Sequence, residues 1–107
     1  MEERFWVDDG CASAPGTSHD GSFKGKSYKA GVRCCSNDGT TCSTPVSCDN
    51  NEMLSHGDAV SKCSKLSRRL CSQNELLSGI CCGTGGGCDN FEVWTSRSRS
   101  GIWKTFT

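Results

Sequence analysis

The chain is 107 residues long and carries 12 basic against 12 acidic side chains, for no net charge. That balance excludes a nucleic-acid partner on electrostatic grounds, because no basic excess is available to neutralise phosphates. No apolar run approaches the ~20 residues of a spanning helix, so a membrane segment is excluded as well.

Ten cysteines, at positions 11, 34, 35, 42, 48, 63, 71, 81, 82 and 88, mark a disulfide scaffold, whose threshold is roughly 8–10% cysteine. The even number predicts five bridges, and such bridges persist in an oxidising, extracellular setting. Leu, Ile, Val and Phe number only 16, a thin core against a backbone ordering cost of ~1–2 kcal/mol per residue. Each bridge adds ~2–4 kcal/mol by restricting the unfolded chain. Met1-Glu2-Glu3-Arg4 lacks the apolar stretch of a secretory signal, so the chain reads as a mature form, an excised domain or a partial read. Structural zinc would call for CxxC knuckles, and none occurs. The adjacent pairs Cys34-Cys35 and Cys81-Cys82 instead send neighbouring sulfurs to different partners. Ten cysteines allow hundreds of pairings, and connectivity stays open.

Taken in order, Phe5-Trp6-Val7 is a short apolar run before a turn at Asp8-Asp9-Gly10, and residues 12–22 read as a loop. From Ser27 to Cys35 apolar residues alternate, with Tyr28, Ala30, Val32 and Cys34 on one face, which predicts a half-buried strand. Ser36-Asn37-Asp38-Gly39 is a turn. Residues 40–54 are irregular and tethered by Cys42 and Cys48. Ser55 and Asp58 predict a capping box, opening a helix whose buried face is Ala59, Val60, Cys63 and Leu66. Arg68-Arg69-Leu70-Cys71 reads as a strand. Ser72 and Glu75 form a second capping box, for a helix through Leu77 that Gly79 stops. Gly83 to Gly87 is a disulfide-closed loop between Cys82 and Cys88. It is not a phosphate cradle, because the flanking strand, helix and lysine are missing. Val93-Trp94-Thr95 predicts a strand, Arg97 to Gly101 a polar turn, and Ile102 to Phe106 a terminal strand.

The segment from Asp58 to Ser96 carries a recognisable set of motifs. A helix with Ala59 and Cys63 leads to Arg68-Arg69-Leu70-Cys71-Ser72, then Glu75-Leu76-Leu77, the glycine-rich cysteine loop, Asp89-Asn90 and Val93-Trp94-Thr95. This resembles the first half of C-type lectin-like and link domains, and cysteine-rich repeats of algal and other eukaryotic extracellular proteins. The resemblance implies a small disulfide-rich α+β fold, a C-type lectin-like sheet with two short helices. Such domains usually end on a strand whose cysteine bridges back to the first helix. Here the best match for that strand, Val32-Arg33-Cys34-Cys35, precedes the helix. Two arrangements follow: a permuted fold within one chain, or closing strands supplied to a neighbouring subunit. The expected organisation is one domain, 1–107, with a strand and loop segment at 1–35, an irregular linker at 36–54 and the lectin-like half at 55–107.

Strand exchange between subunits would make the chain a self-associating unit of a fibre, matrix or surface coat. That is the leading functional expectation, with copies of the chain itself as partners. The charges agree: residues 1–20 balance to −4 and residues 97–107 to +3. The alternative is a glycan-binding module, with Trp6, Trp94 and Trp103 as stacking surfaces, although three of so few large apolar groups also suit a core. The lectin calcium motifs are missing, and no cofactor is expected. The oxygen-rich residues Asp49, Asn50, Glu52, Asp89, Asn90 and Glu92 are the candidates for calcium, which takes six to eight oxygens. His19 and His56 are the only histidines, no nucleophile elbow or paired-histidine metal motif is present, and the chain is read as not an enzyme. No Asn-x-Ser/Thr acceptor exists. Ser13–Ser18, Thr40–Pro45 and Thr95–Ser100 are candidate O-glycosylation runs.

Overall fold

A computed structural model describes residues 4–11, 21–89 and 91–99. The Ile102 to Phe106 strand, Trp103, Asn90, His19 and the Ser13–Ser18 run fall outside the described residues. The elements are β1 (Arg4–Asp9), β2 (Ser22–Lys24), β3 (Cys34–Cys35), β4 (Cys42–Ser43), α1 (His56–Lys65), β5 (Arg69–Leu70), α2 (Gln73–Ser78) and β6 (Glu92–Arg99). They make two small antiparallel sheets, β2-β1-β6 and β4-β3-β5. The class is α+β, with five disulfides and two helices.

The first sheet joins the two ends of the chain. Aromatic and β-branched residues suit a half-buried strand, and Phe5-Trp6-Val7 forms the middle of β1. Its neighbours are β2, where Trp6 faces Phe23, and β6, where Val7 faces Trp94. The register slips between Phe5 and Val7, a bulge that increases local twist. β1 thus lies between two strands of its own chain. The register sets Asp9 opposite Glu92 and Arg4 opposite Arg99. The expected polar turn from Arg97 is instead a continuation of β6 to Arg99. The backbone ladder with β1 extends that far, and the Arg97 guanidinium sits 4.4 Å from the Trp6 ring centroid.

The segment 27–35 differs from the expected half-buried strand. Only Cys34–Cys35 forms a strand, preceded by single bridges from Ala30 to Leu54 and from Gly31 to Val93. Residues 30–35 are buried on both sides, so alternation there does not separate core from solvent. Gly31 is packed so closely that a Cβ would lie 2.5 Å from the Cys48 sulfur.

Both helices start where expected, but by different means. Ser72 accepts from the Glu75 N–H and the Glu75 side chain accepts from the Ser72 N–H, completing the capping box, and Gly79 ends α2 at φ 89°. At α1, Ser55 is the N-cap but its side chain makes no capping hydrogen bond. Asp58 is one methylene shorter than the Glu or Gln of a capping box. Ala59 and Cys63 face the core, whereas Val60 and Leu66 are 44% and 49% exposed. The buried stripe is narrower than the spacing suggests because Cys63 is tethered to β3 through Cys34.

The core has two parts. One gathers Val7, Ala30, Val32, Ala59, Leu70 and Trp94 around the Cys34–Cys63 bridge. The other contains Cys35, Cys48, Cys71, Cys81 and Cys88 with only Leu76 and Val93 as buried aliphatic residues. Sulfur occupies the volume that aliphatic side chains fill in a larger domain, consistent with the small apolar content.

Candidate functional site

Among the described residues, two of the surface depressions have a volume of about 370 Å³ each. One lies beside α1 and β5, lined by His56, Val60, Ser64, Arg68 and Leu70 among others. The second is a groove lined by Asp49, Gly83, Gly85, Gly87, Asp89 and Phe91. It combines carboxylates, a partly exposed aromatic side chain and glycine backbone, and it is the stronger candidate for a small polar ligand.

Its wall is the glycine-rich loop. Cys82 bonds Cys11 and Cys88 bonds Cys48, so the loop is anchored at both ends to distant segments. The expected ring closed between Cys82 and Cys88 does not form. Gly83, Gly85, Gly86 and Gly87 all have positive φ, between 68° and 99°, where a side chain is strained. At Gly86 a Cβ would lie 2.5 Å from the Val46 carbonyl oxygen, and at Gly87 it would lie 2.0 Å from the Asp49 carboxylate. The Gly86 carbonyl also accepts from the Cys48 N–H at 2.7 Å. These contacts hold the loop against the 46–49 segment.

Arg33 supports the loop from below. It is fully buried, and its guanidinium donates to Thr44, Thr84 and the Asp89 carboxylate. Asp89 also accepts from the Gly83 N–H at 3.1 Å, so one carboxylate joins the buried cation to the loop backbone. Burial pulls the Arg33 guanidinium below its ordinary range, and Asp89 opposes that shift. Its Nε has no hydrogen-bond partner among the described residues. The composition gives no hint of this buried arginine; the only signal was its place inside a densely packed cysteine segment.

Of the candidate calcium oxygens, Asp49 and Asp89 meet in the groove. Glu52 accepts from the Ser47 N–H at 2.8 Å. Glu92 accepts from the Tyr28 hydroxyl, a bond that raises the Tyr28 pKa to about 12. Asn50 is exposed nearby. The set is therefore distributed over several local contacts, and the Asp89 carboxylate already faces a guanidinium.

The tryptophans divide similarly. Trp94 is fully buried, donates from Nε1 to the Leu54 carbonyl at 2.8 Å, and meets Phe5, Tyr28 and His56 edge-on. It is a core residue with no face available for a sugar ring. Trp6 is half-buried, with Arg97 over its ring and Phe23 edge-on beside it. Phe91, 36% exposed at the groove, is the aromatic that the sequence reading missed.

Among the described residues no helix is long and apolar enough to cross a membrane. No protein-family model, curated protein or solved structure matches the chain.

Proposed function

We propose that the chain is an extracellular glycan-binding module, with the glycine-loop groove as its site. The observation that carries this reading is the convergence of Asp49, Asp89, Phe91 and three glycines on one open groove of about 370 Å³. Carboxylates accept from sugar hydroxyls, an aromatic ring packs on the apolar face of a pyranose, and Gly83 and Gly85, with open space where a side chain would lie, let a ring approach the backbone closely. Five disulfides support placement in an oxidising compartment.

A glycan array with the oxidised protein, run with calcium and with chelator, tests the reading. Selective binding that Asp49→Asn and Phe91→Ala each weaken by about tenfold, the scale of one lost hydrogen bond to a charged group or one lost packing contact, supports it. Absence of binding across chemically diverse glycans overturns it, as does binding that both substitutions leave unchanged. Sedimentation of the same sample addresses self-association. A concentration-dependent ladder of oligomers with no glycan binding would return the structural-unit reading to first place.

A further inference from the structure

Cys35, Cys42, Cys71 and Cys81 bring their four Sγ atoms within 4.8 Å of one another. They form two bridges, Cys35–Cys71 and Cys42–Cys81. Between the bridges, Cys71 and Cys81 approach to 3.4 Å, Cys42 and Cys71 to 3.7 Å, and Cys35 and Cys81 to 4.0 Å. A tetrahedral zinc tetrathiolate has Zn–S bonds of ~2.3 Å, which sets its sulfur–sulfur edges near ~3.8 Å. Three of the six edges of the quartet are therefore already close to tetrahedral length. The two covalent edges have to open, and the sixth edge, Cys35 to Cys42, which lies within 4.8 Å, has to adjust.

Backbone pairing holds three of the four cysteines independently of those two bonds. Cys35 and Cys42 are cross-strand partners in β3 and β4. Cys71 directly follows β5, which pairs with β3, and its N–H bonds the Arg33 carbonyl. The other three bridges, Cys11–Cys82, Cys34–Cys63 and Cys48–Cys88, lie outside the quartet. Cys35, Cys71 and Cys81 are fully buried and Cys42 is partly exposed, which provides an entry for an ion.

We infer that the reduced quartet is a zinc site. The chain then has two exclusive covalent states, two stacked disulfides or one zinc tetrathiolate. Two equivalents of a dithiol convert the first into the second. Each dithiol passes two electrons and two protons to one bridge, leaves two cysteine thiols, and becomes a cyclic disulfide. Zinc(II) then displaces four thiol protons and forms four Zn–S bonds, with no change in oxidation state. The reverse exchange with the oxidised dithiol restores the bridges and releases the ion. Thiolate ligation selects zinc over calcium and magnesium. The linear spacing gives no sign of the site, because its ligands meet across strands and a turn.

The full chain, equilibrated anaerobically with dithiothreitol and with or without zinc, tests this by native mass spectrometry and by mapping alkylated cysteines. The expected result is one zinc per chain, with Cys35, Cys42, Cys71 and Cys81 protected from alkylation only when zinc is present. Cobalt(II) in place of zinc should give the absorption of a tetrahedral thiolate. Cys42→Ser should weaken zinc by about tenfold or more, while Cys11→Ser leaves it in place, because affinity tracks the ligand set. No stoichiometric zinc, or zinc that protects a different set of cysteines, overturns the inference. Circular dichroism follows the fold throughout, and a reduced chain that zinc neither binds nor refolds also overturns it.

Discussion

Arg33 and Asp89 form an ion pair whose two ends lie in different surroundings: the arginine side chain is fully buried, while the aspartate is 42% exposed. The pair should therefore respond unequally to loss of either member. Asp89→Ala leaves a buried cation without its counter-charge and should cost about 3–5 kcal/mol. Arg33→Met removes the buried charge and leaves a carboxylate that water can reach. Thr44 and Thr84 remain hydrogen-bonded to each other at 2.8 Å, so the expected loss is at most ~2 kcal/mol. Denaturant unfolding of the oxidised variants measures the difference. Equal losses would mean that the pair is not what holds the loop.

The glycine loop gives a second asymmetry. Gly83 and Gly86 share φ 74°, but a Cβ at Gly83 meets open space while one at Gly86 meets the Val46 backbone. Gly83→Ala should cost about 1–2 kcal/mol, from the left-handed conformation alone. Gly86→Ala should cost more, because the 46–49 segment has to move. Thermal melts of the two variants rank them. Gly86→Ala should also weaken any ligand that binds the groove.

Trp94 is expected to dominate the aliphatic core. Trp94→Ala should lose about 3–5 kcal/mol, as for other buried large side chains cut to alanine. Val60→Ser and Leu66→Ser, at the exposed positions of α1, should stay within ~0.5 kcal/mol of the parent. Melting temperatures of the three variants check this. A large loss at Val60 or Leu66 would reveal burial against a partner in solution.

Acid should weaken the α2 cap. The Arg69 guanidinium donates to both Glu75 carboxylate oxygens at 2.8 Å and, with the Ser72 cap, holds the Glu75 pKa at about 2, below the ordinary 4.5. A lowered carboxylate pKa stabilises the fold above the unfolded value, and that contribution fades as pH falls from 4.5 through 2. Glu75→Gln should flatten this part of the stability–pH curve. Urea midpoints across that range, compared between parent and variant, test it. An unchanged slope in Glu75→Gln would place the acid sensitivity elsewhere.

What could be read from the sequence was local. The Ser72 and Glu75 box, the Gly79 stop and the Ser36–Gly39 turn depend on residues a few positions apart, and all three form. The α1 start was legible too, although Ser55 caps it without a side-chain bond. Long-range burial was not legible. The alternation at 27–35 suggested one wet face, yet Gly31 and Arg33 are enclosed by segments far along the chain, at Cys48, Val93, Thr84 and Asp89. Asp49 and Asp89 stood out as oxygen-rich positions. Their meeting in one groove depends on the Cys48–Cys88 bridge, and Phe91 gave no signal because an isolated aromatic in a loop has no periodicity to reveal it.

The bridges have a consequence for survival among proteases. Cys11–Cys82 and Cys48–Cys88 enclose overlapping spans, so every peptide bond between Cys11 and Cys88 lies inside at least one covalent ring. A single cut anywhere in that stretch adds a water molecule but releases no fragment. A nicked molecule would keep its pieces tethered and shed them only once the sulfur bonds were reduced.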